Sequence, residues 1–367
     1  METSRRAVLI AGAGAMGAAA AACAPKPDPV TPTPTPSPTP VASPSPSLSV
    51  APVPVAPLTG LPLVDEAIMS RPAVALKVPN LQSEQPQRGL LEADIVFCQP
   101  NDYGATRLAP VFHSRYADAV GPIRSIRPAD VPLLSPLRPV FGNTGAADWV
   151  LAYTDEHAEY LERMTYLDWR GTGAYSVDQD RLYTVRGKTQ YDRAIQAHPA
   201  RMAELAERNT EAPEPYFSFA PTAEAASTAT GSAATSLVIP YGSGHEYDMT
   251  YEYDAASNSY LRSQPWGEHI LADGERVTAD AVLIIVAPWE MGRIGNGTHA
   301  DDPILEIIDA AGDFHYAHGG KVVTGRWGKG TVGEPFNLRL TDGSSLLMAP
   351  GRTWVELPSP QADLQFS

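Results

Sequence analysis

The stretch Val120-Gly121-Pro122-Ile123-Arg124-Ser125-Ile126-Arg127-Pro128 is closed by proline, and Pro132, Pro136 and Pro139 follow closely. Proline brings no N–H to a ladder and breaks a helix interior, so this stretch cannot be a long regular element. It reads as a shaped loop, the usual carrier of binding chemistry on a rigid scaffold. That scaffold is legible on both sides. Upstream, residues 72–78, 94–98 and 106–113 read as strands, with Leu108, Val111 and Phe112 the apolar members of the third. Downstream, residues 139–143 read as a short strand that turns through Asn143-Thr144-Gly145 into a helix over 146–154. Helical segments are expected over 156–164 and 199–208, the second with Pro199 near its first turn. Strands separated by helices make 58–208 an α/β-type domain.

Residues 209–235 are rich in Ala, Ser and Thr and read as a linker or long exposed loop. Beyond them the pattern changes. Short strand-like runs fall at 236–240, 248–253, 260–263, 281–286, 304–308, 322–327, 336–340, 345–348 and 353–357. Asp273-Gly274, Gly319-Gly320 and Asp342-Gly343 punctuate them, and the last lies between alternating runs as a two-residue hairpin signal. Residues 236–367 therefore form a mostly β domain, and the fold class is α+β.

Ahead of both domains, residues 1–23 read as an export signal. Arg5 and Arg6 precede an apolar, small-residue run that ends Ala20-Ala21-Ala22-Cys23. Ser4-Arg5-Arg6-Ala7-Val8-Leu9 resembles a twin-arginine signal, and the alanines before Cys23 resemble a lipoprotein box with Cys23 as the lipidated residue. Residues 24–57 are Pro, Thr, Ser, Val and Ala, a composition that favours an extended tether over a core. The placement expected is the outer face of the cytoplasmic membrane, held by an N-terminal lipid. The other cysteine, Cys98, sits in an apolar run and is expected to be buried rather than nucleophilic.

A formal charge of −15 argues against a nucleic-acid partner, which needs a broad basic face. Within that acidic chain, Arg107, Arg115, Arg124, Arg127 and Arg138 face only Asp118 and Asp130 between positions 103 and 138. A guanidinium presents a rigid fork of donors suited to carboxylate and phosphate oxygens. Arg107, Arg115, Arg124 and Arg127, with Ser125 and His113, are therefore candidate ligand-binding residues. Asn143 joins them because the turn it opens offers N–H groups at a helix start.

The chain resembles the YerB-like bacterial lipoprotein family. The resemblance is carried by Leu58-Thr59-Gly60, Arg71-Pro72, Ala93-Asp94-Ile95-Val96 and Thr106-Arg107, then by the Gly121-Pro122-x-Arg124-Ser125-x-Arg127 string. In the second half it rests on Tyr253-Asp254, Tyr260 with Arg262, Gly325 with Trp327, and Pro350-Gly351-Arg352-Thr353-Trp354. It implies a two-part globular region on a lipid tether outside the cytoplasmic membrane, and it supplies no activity. The chain departs from the family by lacking an acidic residue near Cys98 and an Ala-Pro-His-Asn string around 183–186.

No catalytic signature stands out. There is no Gly-x-Ser-x-Gly elbow, phosphate loop or Rossmann glycine set, and no cofactor is expected. His315 with His318, and the pairs Asp178/Asp180 and Asp301/Asp302, read as loop residues rather than metal ligands. The six tryptophans are able to stack on sugar rings, although core packing is their ordinary role. The leading expectation is a binding protein whose arginine loop engages an anionic cell-wall component, a lipid-linked phosphate or an envelope protein. The alternative is an enzyme acting on a phosphate-bearing wall precursor or polymer, with Arg107, Arg124 and Arg127 clamping phosphate.

Overall fold

A computed structural model describes residues 54–367, apart from 243–244, 298–300 and the side chain of Tyr103. The export signal, Cys23 and the tether as far as residue 53 lie outside the described residues. The last tether positions, 54–57, already belong to the folded body. Val55 bridges Pro62, and Ala56 is buried.

Twelve strands make the central sheet: β1 (Val74–Leu76), β2 (Val78–Pro79), β3 (Ile95–Pro100), β4 (Thr106–Phe112), β5 (Val140–Asn143), β6 (Glu162–Thr165), β7 (Ser232–Ala233), β8 (Ala281–Ile285), β9 (Ala310–His318), β10 (Lys321–Lys329), β11 (Asn337–Leu340) and β12 (Thr353–Glu356). Their order is β7-β10-β9-β8-β12-β3-β4-β1-β5-β6, with β2 paired to β4 and β11 to β10. Strand β12, from the end of the chain, lies between β8 and β3 and runs parallel to both. The α/β half and the β-rich half thus share one hydrogen-bonded sheet.

Both faces of the sheet's central strands, β1, β3, β4, β5, β8 and β12, are covered, which explains why they read as nearly continuous apolar runs. Ala75, Phe97, Val111, Phe141, Leu283 and Val355 point to one side. Helices α1 (Asp130–Leu134) and α2 (Asp148–Glu156) supply Val131, Leu134, Trp149 and Val150 to that layer. Leu76, Val96, Leu108, Val140, Ile284 and Trp354 point to the other side, against Leu237, Met249, Tyr251 and Tyr260. Those last four belong to a second, six-stranded sheet that includes Ser236–Ile239, Met249–Asp254 and Ser259–Gln264.

The segment expected to be helical over 156–164 instead ends in β6. Pairing from Val140↔Glu162 to Asn143↔Thr165 makes it the edge of the sheet, tertiary pairing overriding local preference. The Glu162 carboxylate then accepts the N–H groups of Glu207, Arg208 and Asn209 at 2.7, 2.9 and 2.7 Å. The run 345–348 forms isolated bridges at Ser345 and Met348 rather than a strand. Strand β9, unmarked in the sequence reading, joins β10 through Gly319-Gly320, whose φ angles of +61° and +69° suit a tight hairpin. The Ala/Ser/Thr stretch contributes two single-turn 3-10 helices, Ala223–Ala225 and Ser227–Thr230, and then β7, which pairs with β10.

Candidate functional site

Strands β1, β3, β5, β6, β8 and β12 point the same way, so their carboxyl ends form one edge of the sheet. In open sheets this is the edge outside which ligands bind. Strand β4 runs against them, which brings its first residues, Thr106 and Arg107, to the same edge. The loop 120–128 crosses it. Val120 exchanges backbone hydrogen bonds with Ala197 at 2.9 Å in each direction. Arg124 N–H donates to the Lys77 carbonyl at 2.8 Å, Thr144 N–H to the Arg124 carbonyl at 3.0 Å, and Ile126 N–H to the Gly145 carbonyl at 2.9 Å. Val120, Ile123 and Ile126 are fully buried, which leaves Arg124, Ser125 and Arg127 facing partly outward. Gly121 lets the loop pack closely here: a Cβ would lie 3.0 Å from the Ile195 carbonyl oxygen, a tight contact.

The result is a cluster of Lys77, Arg107, Arg124 and Arg127. Three of these four cations already face a carboxylate. Lys77 and Asp130 are both fully buried, with Nζ 2.6 Å from Oδ1. Burial, only partly offset by Asp130, lowers the Lys77 pKa to about 8. Arg124 pairs with the buried Glu84. Arg127 Nε lies 3.0 Å from Asp302 and 2.8 Å from the Asn101 side-chain oxygen, and its Nη2 lies 3.7 Å from Asp102.

Arg107 differs. It is 9 % exposed, and among the described residues no carboxylate lies within 4.0 Å of its guanidinium. Its Nη1 donates to the Ser125 carbonyl at 3.0 Å, and its other donors make no hydrogen bond to a described residue. Burial and the neighbouring guanidiniums of Arg127 and Arg124 press its pKa down to about 9, and it stays cationic at neutral pH. Gln99, opposite Arg107 across the ladder, donates to Asp130 at 2.7 Å and leaves its Oε1 sealed without a partner.

The remaining sequence candidates divide. Ser125 belongs to the cluster through its carbonyl, and its hydroxyl lies 3.4 Å from Thr144 Oγ1. Asn143 is fully buried, and its Oδ1 accepts the Gly145 N–H at 2.8 Å. The Thr144 and Gly145 N–H groups are therefore already used, and helix α2 begins only at Asp148. His113 and Arg115 do not join. They follow the far end of β4, and six residues of strand put His113 on the order of 20 Å from Arg107. His113 is buried, and burial, with the nearby Arg71 charge, lowers its pKa to about 4. Arg115 is exposed.

Sequence reasoning missed Lys77, Glu84, Gln99, Asp130 and Asp302. A signal existed for Lys77: it is one of five lysines and stands inside an apolar run, Val74-Ala75-Leu76-Lys77-Val78. The resemblance motifs around Arg262 and Trp354 build a different feature. Arg262 is fully buried, 4.5 Å above the Trp354 ring, and donates to Tyr251 and His269. Tyr251 in turn donates to the buried Glu356 of β12. This network sits inside the layer between the two sheets and holds them together. Among the described residues no group of three or more His, Cys, Asp or Glu is placed to hold a metal ion.

Residues 58–186 match the protein of unknown function (DUF3048) N-terminal domain, and residues 237–355 match its C-terminal domain. The chain belongs to the DUF3048 family. Both matched regions contribute to the cluster, the first Arg107, Arg124 and Arg127 and the second Asp302. The chain is 26 % identical over 310 residues to "Putative lipoprotein YerB" of Bacillus subtilis (strain 168), covering 82 % of this chain and 85 % of that one. It superposes on the crystal structure of the Bacillus subtilis YerB protein with a TM-score of 0.67 at 22 % identity, over 85 % of this chain and 99 % of the other. That likeness is one of fold.

Proposed function

We propose that this protein is an exported envelope lipoprotein, anchored through Cys23 at the outer face of the cytoplasmic membrane, that holds an anionic envelope ligand at the Arg107/Arg124/Arg127 cluster. The lipoprotein part leans on the name of the Bacillus relative and on the sequence of residues 1–23. One observation carries the ligand part: Arg107 is a buried cation without a carboxylate, set between two further guanidiniums. Burying an unpaired charge costs stability, so its retention makes sense where an incoming anion completes the pair. The acids nearby favour binding over catalysis, because Asp130, Glu84 and Asp302 are each committed to a cation of the cluster.

Titration calorimetry with inorganic pyrophosphate and with peptidoglycan-derived muropeptides, on wild type and Arg107→Met, tests this reading. Saturable, salt-sensitive binding of at least one probe is expected, weakened about tenfold or more by the substitution, since one charge-assisted pair contributes about 1.5–3 kcal/mol. Equal binding by both proteins, or no binding to wild type, removes the proposal.

A further inference from the structure

Beside the cluster lies a cavity of about 670 Å³ whose lining includes Gly104, Tyr241, His245, Trp289, Gln361 and Asp363. That volume is in the range of small-molecule sites. Two pieces of chain join it to the cluster. The single-turn 3-10 helix Asp102–Gly104 places Gly104 on the cavity wall and Asp102 3.7 Å from Arg127. The ribbon of Trp289–Gly292 and Asp302–Leu305 carries Trp289 at one end and Asp302, ion-paired with Arg127, at the other. The register Trp289↔Leu305 to Gly292↔Asp302 separates them by roughly 10 Å.

The chemistry of the two places differs. Trp289 lines the cavity and is partly buried, one part of its ring packed against the core and the rest turned to the cavity. Gln361 and Asp363 make no side-chain hydrogen bond to any described residue, while the Tyr241 hydroxyl is spent on Glu356 and offers only its ring. A partly exposed indole with exposed amide and carboxylate groups beside it suits a sugar, whose C–H groups pack on the ring and whose hydroxyls bond the polar groups.

We propose that the anion of this site is the phosphate of a glycosyl phosphate, its sugar seated in the Trp289 cavity and its phosphate directed to Arg107. The inference rests on the anion-binding reading above and narrows it to a substrate class. Calorimetry on the whole protein with glucose 1-phosphate and N-acetylglucosamine 1-phosphate, each beside the parent sugar and inorganic phosphate, separates the two. At least one glycosyl phosphate is expected to bind tenfold or more tightly than inorganic phosphate. Trp289→Ala is expected to abolish that advantage while leaving phosphate affinity within twofold. Glycosyl phosphates that bind no better than phosphate, or an advantage that survives Trp289→Ala, overturn the sugar assignment and leave the anion site standing. Loss of phosphate binding in Trp289→Ala with unchanged circular dichroism also overturns it, since the cavity would then serve the anion alone. No binding of any phosphate to wild type overturns both.

Discussion

Replacing Arg107 with methionine should make the unliganded protein more stable, the reverse of what most buried substitutions do. The side chain is 9 % exposed and bonds only the Ser125 carbonyl. Its pKa falls from 12.5 to about 9 through burial and two neighbouring guanidiniums. A change of that size corresponds to about 5 kcal/mol, an upper bound on what holding this charge costs the fold. Against it stand the lost hydrogen bond and a Ser125 carbonyl left without its donor, together about 2–3 kcal/mol. Methionine keeps the aliphatic bulk, so no large cavity opens. The balance is a gain of at most about 2–3 kcal/mol, or a few degrees in melting temperature for a body of this size. Urea unfolding followed by tryptophan fluorescence, at low phosphate, measures it. The companion Arg127→Met should move the other way, because it strands Asp302. If Arg107→Met is destabilised by more than about 1 kcal/mol, the guanidinium is structural and the account of an unmet charge fails.

Further outcomes follow from the same contacts. Lys77→Met leaves Asp130 buried without its cation and should cost about 3–5 kcal/mol in urea unfolding, against under about 1 kcal/mol for exposed Arg326→Met. His113 is neutral in the fold, with a pKa near 4 against an ordinary 6.5, so the unfolded chain binds more protons between those values. Its contribution to stability is therefore present above pH 6.5 and lost as pH falls towards 4, by at most about 3 kcal/mol. His113→Leu should flatten the stability profile over that window, and an unchanged profile would show that the ring protonates in place. The Cys98 thiol is fully buried and its pKa is pushed up by burial, so iodoacetamide should label it only after unfolding, as read by peptide mass spectrometry.

Local chemistry made much of this molecule readable. The prolines around 120–128 excluded a regular element, and the loop is irregular, with its arginines facing partly outward. Apolar runs marked β1, β3, β4 and β5 because a strand buried on both faces needs an unbroken apolar sequence. The hairpin of β9 and β10 was signalled by Gly319-Gly320, yet β9 itself, Ala310-Ala311-Gly312-Asp313-Phe314-His315-Tyr316-Ala317-His318, mixes polar and apolar residues without strict alternation and was missed. His113 was drawn into the candidate site by nearness along the chain, and the seven residues of β4 carry it away; Asn143 was drawn in by its turn, whose N–H groups the fold already uses.

Composition and pattern by themselves determined the export signal as an expectation, most of the apolar strands, and the presence of arginines in excess over nearby acids. Which of those arginines keeps an unmet charge was decided only by the folded chain. Glu84, Asp130 and Asp302 come from three separate stretches, and the last is brought to Arg127 by a ribbon from the β-rich half. The physical reason is that ion pairing acts over a few ångströms in space, and position along the chain carries almost no information about such distances once strands from both halves interleave in a single sheet.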